Sequence, residues 1–323
     1  MIATTFRSNR PAVLLLAPPL CLLLFGGMPF RTYHPYGEAM PLYALLQSVA
    51  GLTPWLPGIV GVLLIMAITV QLARLANDTE QLDRRNHLPA MLFPLFLATF
   101  GQGLVLDPAL AGMPLVLWAM RRTWAVGKAG HALRQVFDAG LLLGAASLFY
   151  LPYAFLLVVV WSSVAVIRPF QWREYLLPVI GVGVVFFFAW AWLHVSGMGP
   201  WRPLTTIPEW GRPVVPAPAG QRVLAYLVAG GLALVSIINY SSSYQRAVVR
   251  LKNLRASFMG LVAALGVVVL ALRLLNGAFP PVLFAAPMAV FLAHPFLGER
   301  RAWLQETTCL ALLILALWAQ WGA

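Results

Sequence analysis

The sequence predicts an all-α protein, a polytopic bundle of about ten or eleven transmembrane helices. Three observations lead to this fold class. First, 61% of the 323 residues are hydrophobic and only 10% are charged, whereas soluble domains usually carry roughly 25% charged residues. Second, a helix crosses a bilayer core with about 20 apolar residues, and apolar runs of similar length recur along the whole chain. Third, most of the arginines fall between these runs.

Eleven apolar runs are candidate spans, and no polar insertion between them is long enough to fold separately. The runs cover approximately residues 12–29, 55–73, 88–105, 108–120, 135–149, 151–167, 176–196, 222–240, 256–274, 279–295 and 303–321. The fourth and fifth runs are short, so re-entrant or strongly buried segments are the alternatives to full spans there. We therefore predict a single integral membrane domain over residues 1–323.

The distribution of basic residues predicts the orientation of the bundle. The net charge of +12 comes from 20 arginines and two lysines. In a soluble protein this charge would suggest nucleic acid, but arginines between apolar spans follow the positive-inside rule and attract anionic lipids. We therefore expect membrane lipids as partners and no nucleic acid. A cytoplasmic N-terminus leaves only five basic residues outside, which are Arg31, Arg202, Arg212, Arg222 and Arg273.

Two outward loops are longer than a turn, residues 31–54 and residues 197–221. The first contains an apolar stretch at 41–52 that is too short to span a bilayer, and we predict an amphipathic helix along the outer interface. The second contains six prolines. Because proline fixes φ and removes a hydrogen-bond donor, this loop should be irregular but stiff.

Three segments in the central third of the chain carry a resemblance. They are NHLP at 86–89, FDAGLLLGAASLFYLP at 137–152 and RPFQWREYLLP at 168–178. Over residues 86–180 the chain resembles a family of polytopic bacterial membrane proteins, best known from Bacteroidota and of unassigned function. The resemblance implies a multi-pass protein of the bacterial inner membrane, and it supplies no catalytic residues.

Polar residues within these segments predict a cluster on the cytoplasmic side. Asp138 begins the fifth span, whereas Arg168, Arg173 and Glu174 follow the sixth. A carboxylate near a helix N-terminus is favoured by the helix dipole, and an arginine partner would stabilise its charge further. We interpret the cluster as a structural ion-pair group that fixes two helices.

Two carboxylates on the outer side are the candidate catalytic residues. Glu38 lies in the first outer loop, residues 31–54, and Asp107 lies in the short outward connection between the third and fourth spans. Polytopic glycosyltransferases that use polyprenyl-phosphate sugars place acidic residues in their first outer loops beside an interfacial helix, and this arrangement is similar. A carboxylate there could act as a general base or orient a metal. The alternative is a solvated loop residue or, for Asp107 before Pro108, a helix N-cap.

The outward arginines are candidates for binding a lipid phosphate, because the guanidinium fork suits that anion. These residues are Arg31, Arg202, Arg212 and Arg273. For Arg273, at the outer end of the ninth span, the alternative is snorkelling to the headgroups. The sequence has no GxxxxGK[ST], HExxH, GxSxG or CxxC motif, so it predicts no metal site and identifies no cofactor.

Three functions remain open at this point, and with them the question of whether the chain is an enzyme. The leading hypothesis is an envelope-biogenesis protein, a glycosyltransferase-like enzyme acting on polyprenyl- or lipid-linked glycans at the outer face of the inner membrane. The second is a non-catalytic membrane subunit or scaffold of an envelope secretion or biogenesis complex. The third is a lipid or small-solute transporter, which the scarcity of intramembrane carboxylates disfavours.

Overall fold

The computed structural model describes residues 2–100, 104–127, 132–197, 203–209, 219–277, 279–297 and 302–321. Within these ranges every regular element is a helix, which confirms the all-α prediction. The α-helices are α1 Ile2–Phe6, α2 Ala17–Phe25, α3 Pro41–Ala50, α4 Leu56–Asp78, α5 Leu88–Phe100, α6 Pro108–Ala125, α7 Ala132–Ser147, α8 Leu157–Ile167, α9 Trp172–Val195, α10 Ala219–Arg246, α11 Val249–Asn276, α12 Pro281–Leu292 and α13 Ala302–Trp321. Short 3₁₀ helices occupy Pro11–Leu16, Met28–Phe30, Leu151–Leu156, Pro203–Glu209 and Pro295–Leu297.

Each of the eleven predicted runs coincides with helical structure. Five helical segments are long and apolar enough to cross a membrane, judged by length and composition, and they are Pro11–Phe30, Leu56–Asp78, Trp172–Val195, Val223–Arg246 and Val249–Leu275. The other helices in the described part of the chain do not meet these criteria, so the number of ten or eleven spans stays a prediction. The predicted interfacial stretch of the first outer loop forms α3.

The core of the bundle is built around α5 and α12. In α5, 12 of the 13 residues are buried, and in α12, 11 of the 12 are buried. A helix that is apolar on all sides is expected to be surrounded by protein or lipid, and α5 packs directly against α12, α13 and α4. The fourth predicted run forms α6, in which 12 of 18 residues are buried. This burial is compatible with a strongly buried segment, one of the alternatives to a full span.

Helices α7 and α9 pack closely against each other, and glycines allow this approach. A Cβ atom built on Gly140 would lie 2.4 Å from the carbonyl oxygen of Pro178, and one built on Gly181 would lie 2.8 Å from the backbone nitrogen of Leu141. Small residues at a crossing let two helix backbones touch. The rest of α9 is mostly exposed, since only Glu174, Pro178 and Gly181 are buried in it.

The bundle has two chemically different ends. At one end, which we call the arginine-rich end, Arg121 pairs with Asp78 at 2.7 Å and Arg255 pairs with Asp83 at 2.7 Å. These residues are all on the side predicted to be cytoplasmic. At the other end, which we call the opposite end, Arg31 contacts Gln320. Residues that are predicted to lie on the same side of the membrane are therefore in contact with each other in the structure.

Candidate functional site

A cavity of about 630 Å³ lies at the opposite end, between the segment that follows α2 and the loop that joins α3 to α4. Its volume is within the range of about 300–1,000 Å³ typical of small-molecule sites. The lining includes polar and aromatic side chains, among them Arg31, Tyr33, Gln47, Thr53 and Trp55. One of the predicted phosphate-binding arginines thus lines a cavity of suitable size.

Arg31 is half-buried, and its hydrogen-bond acceptors are neutral. Its Nη2 donates to the carbonyl oxygen of Gln320 at 2.9 Å and to the Oε1 of the same residue at 3.0 Å, while Nη1 makes a long contact of 3.5 Å to the carbonyl oxygen of Leu104. Burial lowers the pKa of the Arg31 guanidinium, but an arginine stays charged in proteins. Five N–H groups are available on a guanidinium, so the side chain retains donors, and no carboxylate of the described residues pairs with its charge.

The loop beside Arg31 is held in place by the amide of Gln47. The Oε1 of Gln47 accepts from the backbone N–H of Tyr36 at 2.9 Å and from the Tyr33 hydroxyl at 3.1 Å, and its Nε2 donates to the carbonyl of Tyr36 at 3.0 Å. The buried Tyr43 hydroxyl donates to the carbonyl of Leu106 at 3.1 Å. Burial raises the pKa of Tyr43 far above its ordinary value, so this phenol remains a neutral donor.

Thr53 lines the same cavity. Its hydroxyl oxygen is buried and has no hydrogen-bond partner within the described ranges. Leaving a buried polar group unpaired costs about 1–3 kcal/mol. The neighbouring Trp55, which is 51% exposed, offers an aromatic surface to the cavity.

Asp107 is the N-cap of α6. Its Oδ1 accepts from the backbone N–H of Ala109 at 2.7 Å and of Leu110 at 3.4 Å, and its Oδ2 accepts from the Tyr36 hydroxyl at 3.3 Å. The N-cap alternative considered for this residue is therefore present in the structure. Asp107 does not line the cavity, and its predicted catalytic role stays a prediction.

Glu38 is an exposed residue of the first outer loop, and it too lies outside the cavity lining. Its Oε2 accepts from the Thr205 hydroxyl at 3.2 Å. This contact connects the first outer loop to the 3₁₀ helix Pro203–Glu209 of the second. Glu38 thus links the two outer loops in the structure. Its catalytic role also stays a prediction.

The remaining predicted phosphate ligands do not join Arg31 in the described structure. Arg202 and Arg212 lie outside the described residues. Arg273 is exposed in the last turn of α11, where its Nη1 donates to the carbonyl of Gly277 at 2.7 Å. Gly277 adopts a left-handed conformation with φ +67°, so Arg273 caps the C-terminus of its own helix, where a cation is favoured by the dipole.

The predicted cytoplasmic cluster forms in part. The Nε of Arg168 lies 3.6 Å from the Oε1 of Glu174, which is 1% exposed, so one ion pair ties the end of α8 to the start of α9. Arg173 lies over the ring of Trp172 at 5.7 Å. Asp138 makes no ion pair with Arg168 or Arg173, all three being described residues. Only the Arg168–Glu174 pair thus matches the predicted grouping.

Sequence reasoning missed an ion pair of the arginine-rich end, Arg255 with Asp83, in which the arginine is buried. Arg255 is 2% exposed although it belongs to the first turns of a long apolar helix. The available signal was Asp83 itself, one of two acidic residues, with Glu80, in the loop between α4 and α5. Its partner is 172 residues away in the sequence, so nothing local identifies it.

The fold and the cavity define a class of protein. It is an all-α bundle in which five helices are long and apolar enough to cross a membrane, with a cavity at one end that Arg31 lines. No protein-family model, curated protein or solved structure matches the chain. The resemblance of residues 86–180 to the Bacteroidota family therefore stays an expectation. No group of three or more histidine, cysteine, aspartate or glutamate side chains that could hold a metal occurs in the part of the chain that the structure describes.

Proposed function

We propose that this chain is a multi-pass protein of the bacterial inner membrane that binds a lipid-linked phosphate at the outer end of its bundle, as part of envelope biogenesis. The observation that carries the proposal is Arg31, a half-buried cation that lines a 630 Å³ cavity and whose hydrogen-bond acceptors among the described residues are all neutral. A buried charge is stable only when it is paired. A phosphate bound in this cavity would supply the missing negative charge.

The surroundings of Arg31 suit a ligand that is anionic at one end and apolar at the other. Phe30, next to Arg31 in the chain and in the lining, is 89% exposed at the end of the first apolar segment. In a membrane this side chain would face acyl chains, and Trp55 would lie at the interface, where tryptophan is favoured. A polyprenyl phosphate combines a phosphate for Arg31 with a hydrocarbon chain for this apolar edge.

Binding has more support here than glycan transfer. Both oxygens of Asp107 already accept hydrogen bonds, and Glu38 contacts the second outer loop. Neither carboxylate lines the cavity beside Arg31. This separation favours the non-catalytic membrane subunit of an envelope-biogenesis complex, one that holds a lipid-linked phosphate for a partner, over the transferase.

The experiment compares two ligands that differ only in the phosphate. Purified full-length protein in detergent is titrated with polyprenyl phosphate and with the corresponding polyprenol, and binding is followed by native mass spectrometry. We expect saturable binding of the phosphate alone. Arg31→Gln should weaken it about tenfold or more, the value of a charge-assisted hydrogen bond, whereas Arg273→Gln, at an exposed arginine of the same predicted side, should not.

Equal binding of the phosphate and the alcohol would contradict the proposal. Equal losses in Arg31→Gln and Arg273→Gln would do so as well, because they would indicate general attraction to charge. Arg31→Lys separates the two contributions of the side chain: it keeps the charge and removes the planar fork. Its affinity should fall between that of the native protein and that of Arg31→Gln.

A further inference from the structure

A second cavity, of about 380 Å³, lies at the arginine-rich end. It is bounded by the loop between α4 and α5 and by the turn Ala247–Val248 between α10 and α11. The loop is fixed by a paired amide contact, in which Asn77 Nδ2 donates to the Asn86 carbonyl at 2.8 Å and Asn77 Oδ1 accepts from the Asn86 N–H at 3.0 Å. The cavity is therefore bounded by held backbone on this side.

Arg255 forms the inner wall of this cavity. Its Nη2 donates to Asp83 Oδ1 at 2.7 Å and its Nη1 donates to the carbonyl of Ser243 at 2.7 Å. The Ser243 hydroxyl donates to Asp83 Oδ2 at 2.8 Å. The Nε of Arg255 is buried and has no partner among the described residues. The side chain is 2% exposed, so Arg255 adds a fixed positive charge behind the cavity wall.

The carboxylates that line the cavity are already paired, whereas two of its arginines are not. Asp83 pairs with Arg255, and Glu80 Oε1 lies 3.4 Å from Nη2 of Arg250. Arg85 and Arg246 line the cavity, are exposed, and make no ion pair or hydrogen bond with the described residues. Two unpaired positive charges therefore face the same space.

The start of α11 adds backbone donors to the same place. Val248 is its N-cap and makes no side-chain capping hydrogen bond, and Val248 and Leu251 both line the cavity. The first N–H groups of a helix have no acceptor within the helix, and the dipole makes this terminus positive. An uncapped N-terminus beside arginines is a well-established arrangement for binding phosphate.

We propose that this cavity binds a phosphate-bearing anion, with Arg85 and Arg246 as the main ligands and the α11 N-terminus as a further donor. This site is separate from the Arg31 cavity and uses none of its residues. The phosphate can belong to an anionic phospholipid headgroup or to a small soluble compound. In both cases the recognised chemistry is the same, so the experiment has to distinguish the source.

The experiment titrates purified full-length protein in detergent with inorganic phosphate, short-chain phosphatidylglycerol or short-chain phosphatidylcholine, and follows the thermal unfolding midpoint. The cavity variant is Arg85→Ala with Arg246→Ala. The control is Arg122→Ala with Arg134→Ala, which removes the same charge from two exposed arginines outside the cavity. We expect saturable stabilisation of the native and control proteins. Binding to the cavity variant should be weaker by about tenfold or more, because each substitution removes a charge-assisted hydrogen bond to the phosphate.

Each outcome of this titration supports or contradicts the proposed anion site. A response to phosphatidylglycerol alone assigns a lipid headgroup, and a response to inorganic phosphate assigns a soluble anion. An equal response to phosphatidylcholine, or an equal loss in the cavity and control variants, overturns the proposal. The absence of any response from the native protein to both anionic probes overturns it as well.

Discussion

Arg255 shows what a buried charge requires of its surroundings. The guanidinium is 2% exposed, and Asp83 is the carboxylate that pairs with it. Burying a charge is costly unless it is paired and hydrogen-bonded. The side chain of Asp83 is 54% exposed, so the pair lies at the boundary between the bundle and its surroundings, and solvent weakens part of the attraction.

Asp83→Ala should destabilise the protein by about 2 kcal/mol, somewhat less than the loss of a partner in a fully buried pair. The reason is that Arg255 would remain buried without its carboxylate. The free energy of unfolding in detergent, measured with denaturant, tests this expectation. Arg121→Ala is the control, because it breaks a pair exposed on both sides and should cost less than about 1 kcal/mol. Equal costs would contradict the interpretation.

The same pair predicts a dependence of stability on pH. Burial alone would raise the pKa of the Asp83 carboxyl, but hydrogen bonds from Arg255 and Ser243 and the charge of Arg255 outweigh it and hold the pKa below its ordinary value. A carboxyl whose pKa is lower in the folded state stabilises the protein above its unfolded pKa, and this contribution is lost as the pH falls through the folded value. The free energy of unfolding of the native protein should therefore fall as the pH drops below about 4. Asp83→Asn should make this fall less steep, and an equally steep fall in the variant would contradict the interpretation.

Asp107 allows a test that separates capping from catalysis. Asparagine is as good an N-cap as aspartate, whereas alanine loses about 1 kcal/mol. Asp107→Asn should leave the free energy of unfolding nearly unchanged, and Asp107→Ala should lower it by about that amount. If Asp107→Asn kept full stability but abolished a glycan-transfer activity in cells, the catalytic role would be supported over the structural one.

At the scale of elements, apolar length predicts where the helices form. Pro18 and Pro19 fall within the first predicted span, and there the structure has the 3₁₀ helix Pro11–Leu16 followed by α2 in place of one regular helix. The stretch too short to span became α3. Sequence could not predict that Arg31 meets Gln320, or Arg255 meets Asp83, because these contacts depend on the order of helices around the bundle, which periodicity does not determine.

The α7–α9 crossing predicts opposite effects for two glycine substitutions. Gly140→Ala places a Cβ atom 2.4 Å from the Pro178 carbonyl oxygen, so the helices must separate, at a cost of about 1–3 kcal/mol. Gly183→Ala, on the exposed side of α9, meets nothing within 4 Å and should stabilise the helix by up to about 1 kcal/mol. Thermal unfolding of the two variants tests the crossing, and similar midpoints would contradict it.

At the scale of the whole molecule, charge is distributed unequally between the two ends. Ion pairs of Arg121, Arg250 and Arg255 gather at one end, whereas Arg31 and Glu38 belong to the other. The arginine-rich end is expected to be cytoplasmic, and this orientation stays a prediction. The two proposed anion sites lie at opposite ends of the bundle.

Labelling of single cysteines tests that orientation. The native Cys21 and Cys309 are buried, so a new exposed thiol should dominate the reaction. Glu38→Cys should react with a membrane-impermeant maleimide in intact spheroplasts, and Arg122→Cys should react only after permeabilisation. The reverse pattern would place the arginine-rich end outside.

The most direct test of the central claim is a cryo-EM map of the full-length protein in nanodiscs that contain polyprenyl phosphate. We expect density for a phosphate in the 630 Å³ cavity, within hydrogen-bond distance of the Arg31 guanidinium, continuing as a chain past Phe30 into the bilayer. An Arg31→Gln sample prepared in the same way should lack it. A cavity that is empty of ligand at saturating polyprenyl phosphate, with Arg31 still bonded only to Gln320 and Leu104, would contradict the proposed function.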